Sequence, residues 1–128
     1  MTSRIIQTDL APAAIGPYSQ AVCAGGFVFS AGQIGLDPAS GEMVGGGVVA
    51  EALQAITNLE AVLAAAGCSL SDVVKTTLFL ADMRDFTAVN GVYNSRFSAP
   101  YAARSAVEAS ALPKGALFEI EAVAILPA

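Results

Sequence analysis

Two charged side chains stand where their neighbours argue against charge. Glu119 lies in the alternating apolar run Leu117-Phe-Glu-Ile-Glu-Ala-Val-Ala-Ile125, and Arg104 follows Tyr101-Ala102-Ala103 at the head of another. A carboxylate on an apolar strand face costs free energy unless it is paired, wet or raised in pKa. A carboxylic acid so raised can carry a proton near neutral pH. The same parity sets Glu121 on that face, and rim and site remain alternatives for both acids. A lone guanidinium suits bidentate capture of a carboxylate, and equally a surface ion pair with Glu108. Asn90 interrupts the apolar stripe of a helix, where an amide either satisfies a nearby backbone group or faces a site. Tyr18, after Gly16-Pro17, either packs or lifts its hydroxyl to the edge of a cleft.

The rest of the inventory restricts what these groups can do. The chain has 128 residues and no histidine. That removes Ser-His-Asp and Cys-His machinery, H-E-x-x-H zinc sites and imidazole proton shuttles. The glycines of Ala31-Gly32-Gln33-Ile34-Gly35 have neither the spacing of a phosphate loop nor that of a dinucleotide fingerprint. Unclustered carboxylates rarely make a metal site, so none is expected. Cys23 and Cys68 lie far apart among apolar neighbours and read as buried, reduced thiols of a cytoplasmic protein. Eleven acidic residues against six basic give a net charge of −5. With Arg4, Lys75, Arg84, Arg96, Arg104 and Lys114 scattered singly, neither a nucleic acid nor an anionic membrane surface is an expected partner.

Hydropathy points to a different kind of partner. The composition is 55% hydrophobic and only 13% charged, with a mean hydropathy of +0.61. The apolar runs Ala21–Phe29 and Ala61–Cys68 fall short of the ~18–20 residues of a membrane helix. The N-terminal Met1–Asp9 lacks the apolar core of a signal peptide. Part of the apolar surface is therefore expected to lie against other copies of the chain.

The elements that must position the candidate residues follow from periodicity. Gly25-Gly26 between Ser19–Ala24 and Phe27–Ala31 signals a two-residue hairpin. Val49, Leu53, Ile56, Leu59, Leu63 and Ala66 make the apolar stripe of a helix over 48–66, closed by Gly67. Val73–Leu80 reads as a strand, and Asp82 as the cap of a second helix with the stripe Phe86, Val89, Asn90, Tyr93 and Phe97. Strands Ser105–Ala109 and Leu117–Leu126 close the chain. Two β-α-β crossovers in one sheet give an α+β layer with both helices on one face. In the last strand Phe118, Ile120, Ala122, Ala124 and Leu126 then point under the helices, while Leu117, Glu119, Glu121, Val123 and Ile125 point to an open face. That open face is the candidate interface.

Several motifs in order resemble one family: Ala11-Pro-Ala-Ala-Ile-Gly-Pro-Tyr-Ser-Gln20, Ser30-Ala-Gly-Gln-Ile34, Val73-Val-Lys-Thr-Thr77, Ala103-Arg-Ser-Ala-Val-Glu108, and Leu112-Pro113-Lys114 followed by Glu119-Ile120-Glu121. Together they look like the RidA (YjgF/YER057c) family over nearly the whole chain, as a single domain. The resemblance implies a chorismate-mutase-like fold and a homotrimer with sheets around a central barrel and clefts between subunits. It also implies hydrolysis of enamine/imine intermediates such as 2-aminoacrylate to 2-oxo acids and ammonia, without a cofactor. Carried over by residue, Arg104 matches the arginine that binds the substrate carboxylate, and Glu119 the acid that positions or activates water. Tyr18 matches a cleft tyrosine from the neighbouring subunit, Asn90 a cleft amide, and Ala31, Gly32 and Ala106 further substrate-binding positions. Ala31, Ala102 and Ala106 depart from the family's usual Ser, Pro and Cys, which bears on substrate range and rate. Two other functions stay open: a trimer that binds small carboxylates without turnover, and an endoribonuclease or translation inhibitor. The dispersed cations and missing histidine weigh against the last.

Overall fold

The computed structural model describes residues 3–128; Met1 and Thr2, which open the segment read as lacking a signal-peptide core, lie outside the described residues. The elements in order are β1 (Ser3–Ile6), β2 (Ala21–Ala24), β3 (Phe27–Ser30), α1 (Gly47–Ala65), β4 (Val73–Leu80), α2 (Phe86–Arg96), β5 (Ala103–Glu108) and β6 (Phe118–Ile125). They form one mixed sheet in the order β1-β2-β3-β6-β4-β5. Only β4 and β5 pair in parallel, across α2; every other neighbouring pair is antiparallel. The α+β layer read from periodicity is therefore present, with both helices on one face of the sheet.

Local chemistry accounts for most boundaries. Gly25 and Gly26 take φ of 60° and 83°, the conformation a two-residue turn between right-twisted strands requires. Gly67, at φ 88°, ends α1: its N–H donates to Ala64 O, and the Cys68 N–H reaches back to Leu63 O. Asp82 accepts the Arg84 N–H and so caps a short 3-10 turn, Met83–Asp85, that leads into α2.

Three expectations need correction. β1 was not anticipated, because Ser-Arg-Ile-Ile is too short to show alternation by itself; it exists by pairing with β2. The buried face of α1 is Ala52, Ala55, Ile56, Leu59, Val62 and Leu63, while Val49 and Leu53 are exposed. Two stripes fit the same three-and-four spacing, and the sheet selects the one with alanines, whose small side chains let helix and sheet approach. Finally, β5 starts at Ala103, so Arg104 lies inside the strand rather than before it.

By length and composition α1 could cross a membrane, yet its apolar face is spent on this core. Phe118, Ile120, Ala122 and Ala124 of β6 are buried beneath the helices, as alternation predicts. The opposite face presents Phe27, Phe29, Val107 and Ile125 to the outside, each 40% exposed or more. No part of the described chain covers it.

Candidate functional site

Arg104 stands on the helix face of β5, opposite the buried Thr76 of β4. Its guanidinium carbon lies 4.8 Å from the ring centroid of Tyr93 and 5.5 Å from that of Phe86, both on α2. Tyr93 is held in turn by a 2.9 Å hydrogen bond with the Thr76 hydroxyl and by stacking on Phe97 at 4.2 Å. The aromatic faces hold the cation without satisfying its N–H donors. No acid pairs with it among the described residues; Glu108, the suggested partner, accepts the Met83 N–H instead. The guanidinium opens on a cleft of about 570 Å³ lined by Asn90, Asn94, Tyr101 and Ala102. There the Asn90 Oδ1 is buried without a hydrogen-bond partner among the described residues, a cost that a donor on a ligand would remove.

Glu119 belongs to a second cleft, of about 430 Å³, with Tyr18, Ala31, Gly32 and Lys114 on its walls. Burial pushes its pKa above the usual carboxylate range, and the Glu121 carboxylate on the same strand face adds to the shift. The setting comes from a bend after β3. At Ser30 the backbone leaves β6 and the Ser30 hydroxyl takes over, accepting the Ala122 N–H at 2.9 Å. Pairing resumes at Gln33, whose N–H and C=O both bond to Ile120. Gly32 lies in the bend, where a Cβ would come within 2.7 Å of the Glu119 carboxyl carbon. Only glycine lets that carboxylate rest against the backbone.

Within one chain the expected site is thus in two halves. Glu119, Tyr18, Ala31 and Gly32 share one cleft, Arg104 and Asn90 the other, and Ala106, packed against the core, lines neither. Arg104 faces the helices and Glu119 the open face, with β4 between their strands. The single chain does not bring its arginine to its acid.

The structure adds residues that sequence reasoning passed over. Gln20, 3% exposed, accepts the Thr8 N–H and points its amide at the carbonyls of Thr8, Ala11 and Pro12, fixing the loop that walls the Glu119 cleft. Asn58, fully buried on α1, donates to Ile34 O and Leu36 O on the other wall. Glu51 accepts the Leu117 N–H just before β6. Glu51 and Asn58, seven apart on a helix rich in apolar residues, were a visible signal; Gln20 was visible only as a polar residue at the mouth of an apolar strand.

Residues 8–126 match the family model described as Endoribonuclease L-PSP. The chain belongs to that family, also called RidA/YjgF. It is 54% identical over 125 residues to the 2-iminobutanoate/2-iminopropanoate deaminase of Capra hircus, covering 98% of this chain and 91% of that one. The crystal structure of RidA from the Antarctic bacterium Psychrobacter sp. PAMC 21119 is 47% identical and superposes with a TM-score of 0.93, over 96% of this chain and 99% of that one. E. coli TdcF with bound serine is 40% identical at a TM-score of 0.90, covering 97% and 99%. The family expectation drawn from the motifs holds, and with it the fold of a RidA-type protein.

Proposed function

We propose that this RidA-family chain hydrolyses 2-imino acids to 2-oxo acids and ammonia, in clefts where the Arg104 half of one subunit meets the Glu119 half of the next. The observation that carries the reading is the division itself: a guanidinium unpaired among the described residues and a carboxyl whose pKa burial raises, in separate open clefts of one chain, beside an apolar sheet face that invites other copies. A homotrimer would join the halves and cover Phe27, Phe29, Val107 and Ile125. The names of close relatives support the reaction class, and the serine bound to TdcF is an amino acid of matching carboxylate chemistry.

The chemistry needs no histidine. Arg104 would hold the substrate carboxylate by two parallel N–H···O bonds. The imine carbon is already electrophilic, so positioning supplies much of the acceleration. With the imine nitrogen protonated, ionised Glu119 would take one proton from water as the water oxygen bonds to that carbon, giving a carbinolamine, and would pass that proton to the amino nitrogen. The carboxylate would then take the proton of the carbinolamine hydroxyl as the C–N bond breaks and its electron pair leaves with nitrogen. Ammonia leaves and the carbonyl forms. Tyr18 and the Asn90 amide would orient the substrate at the two ends.

An RNA-cleaving reading lacks a track for phosphates. Arg84 pairs with Asp82 and Arg96 with Glu60, while Arg104 and Lys114 open on different clefts. The direct test adds purified protein to a threonine or serine dehydratase reaction. Release of 2-oxo acid should quicken, and Arg104→Ala should abolish the effect. Unchanged release with folded wild type, together with tight 2-oxobutanoate binding, would favour a carboxylate-binding role instead.

A further inference from the structure

Four of the six cations are hydrogen-bonded within the chain: Arg4 to Ala66 O, Lys75 to the Ser105 hydroxyl, Arg84 to Asp82 and Arg96 to Glu60. The other two, Arg104 and Lys114, have no hydrogen-bond or ion-pair partner among the described residues. Each lines one of the two clefts. Lys114 has a second peculiarity. It is the sole non-glycine among the described residues with positive φ, at 57° and ψ 26°, between Pro113 and Gly115. A side chain in that region is disfavoured and persists where surrounding structure or function holds it. Here the turn that joins β5 to β6 sets an exposed ammonium on the rim of the cleft that holds Glu119. Replacing Lys114 by glycine would relax the backbone, so tolerance of a lysine calls for a reason in its charge.

We infer that Lys114 is the entry cation of the cleft, drawing an anionic substrate toward Glu119 against the chain's own negative field. The inference rests on the deaminase reading only for the identity of the anion. A 2-imino acid and its 2-oxo product both carry a carboxylate, whereas the protein has a net charge of −5 and the cleft wall carries Glu119 with Glu121 beside it. Arg104, contributed from the other half-site, can grip a carboxylate only after it has arrived. A flexible, hydrated ammonium at the mouth suits attraction at a distance better than fixed recognition. The signature is electrostatic: an effect on the second-order rate constant that salt erases, since screening shortens from about 30 Å at 0.01 M to about 3 Å at 1 M.

The test compares wild type with Lys114→Gly, Lys114→Glu and Lys114→Arg in the dehydratase-coupled assay across ionic strength, and measures 2-oxobutanoate binding by calorimetry on the same proteins. At low salt, neutralising one charge several ångströms from the anion's path should lower kcat/KM about threefold and reversal about tenfold. The arginine variant should hold near wild type, and the loss should fall on KM with kcat little moved. Near 1 M salt the four proteins should converge. Lys114→Gly should melt no lower than wild type, which separates the loss from unfolding. Equal kcat/KM for wild type and Lys114→Glu at low salt would overturn the inference, as would a loss that high salt leaves intact. If wild type proves inactive, the deaminase reading falls while the calorimetric series still judges Lys114: salt-sensitive weakening from lysine to glycine to glutamate upholds it, and equal affinities or no binding defeat it.

Discussion

Around Arg104, side chains do the holding: two aromatic faces under the guanidinium, Tyr93 tied to Thr76, and an amide oxygen left unsatisfied in the wall. Around Glu119 it is the path of the backbone that shapes the site, with side chains bonded to that backbone: a bend bridged by the Ser30 hydroxyl, a glycine that admits the carboxylate, and loops pinned by Gln20 and Asn58. The first half is a cation held against aromatic faces on the edge strand β5, suited to seizing a charge. The second is a shaped pocket in which a carboxyl is kept from its ordinary proton equilibrium. On the proposed reading, binding and proton transfer fall to different parts of the sheet, and neither part suffices alone. On that reading the difference makes a pair of chains the unit of function, although each half is built by one.

Breaking the pairing gives the largest effect. Arg104→Ala and Glu119→Ala should each cost at least about 10²-fold in deaminase activity, the size of a lost binding clamp or proton carrier. If clefts form between subunits, mixing the two inactive proteins under conditions that exchange subunits should restore activity. In random assembly, half of the facing positions offer an intact arginine and half an intact acid, so about a quarter of the clefts recover. A mixture that stays as inactive as its components, with exchange verified by mass, would place both residues' work within one chain and undo the comparison.

A smaller effect sharpens the electrostatic side of the contrast. The Glu119 pKa is raised by burial and by Glu121, so its charged form is the disfavoured one in the folded state. Stability from this group is full below the unfolded-state pKa and declines as pH rises through the higher folded value. Glu119→Gln should therefore lose activity yet melt higher than wild type at about pH 8. The gap should close toward about pH 4, near the reference carboxyl value. Thermal melts across pH decide it: a Glu119→Gln protein that is less stable at high pH would mean that the carboxylate is held by partners rather than merely buried. No such gain is expected at Arg104, whose charge stays at the surface.

These two halves were unequally legible in the sequence. The alternation of β6 located Glu119 on the open face, because a strand's parity is local and Phe118, Ile120, Ala122 and Ala124 mark the buried side. The face of Arg104 depends on the register of β5 against β4, Thr76 opposite Arg104, and no local pattern encodes that. Motif resemblance named both residues without telling that one chain keeps them apart. Apolar size misjudged α1, where Leu53 looked like core and Ala52 and Ala55 were. The bend at Ser30 was invisible because its compensation, a hydroxyl bonded to Ala122, joins residues 92 positions apart.

The smallest effect tests whether the Glu119 half depends on the side chains that pin its backbone. Gln20→Ala leaves the Thr8 N–H and the carbonyls of Thr8, Ala11 and Pro12 without their buried partner, which should cost about 1–3 kcal/mol of stability. The loop it frees carries Pro12, Ala13 and Ile15, the apolar wall of the cleft, and leads to Tyr18; Glu119 and Gly32 lie on other segments. Activity should thus fall only a few-fold and through KM, because the wall loosens while Glu119 keeps its place. Gln20→Glu supplies a control for side-chain size. Its carboxylate can accept the Thr8 N–H and cannot donate to the three carbonyls, and protonation restores one donor, so its stability deficit should shrink as pH falls. A Gln20→Ala enzyme with unchanged KM would mean that the loop holds its shape without the amide, and that the Glu119 cleft owes its form to the sheet alone.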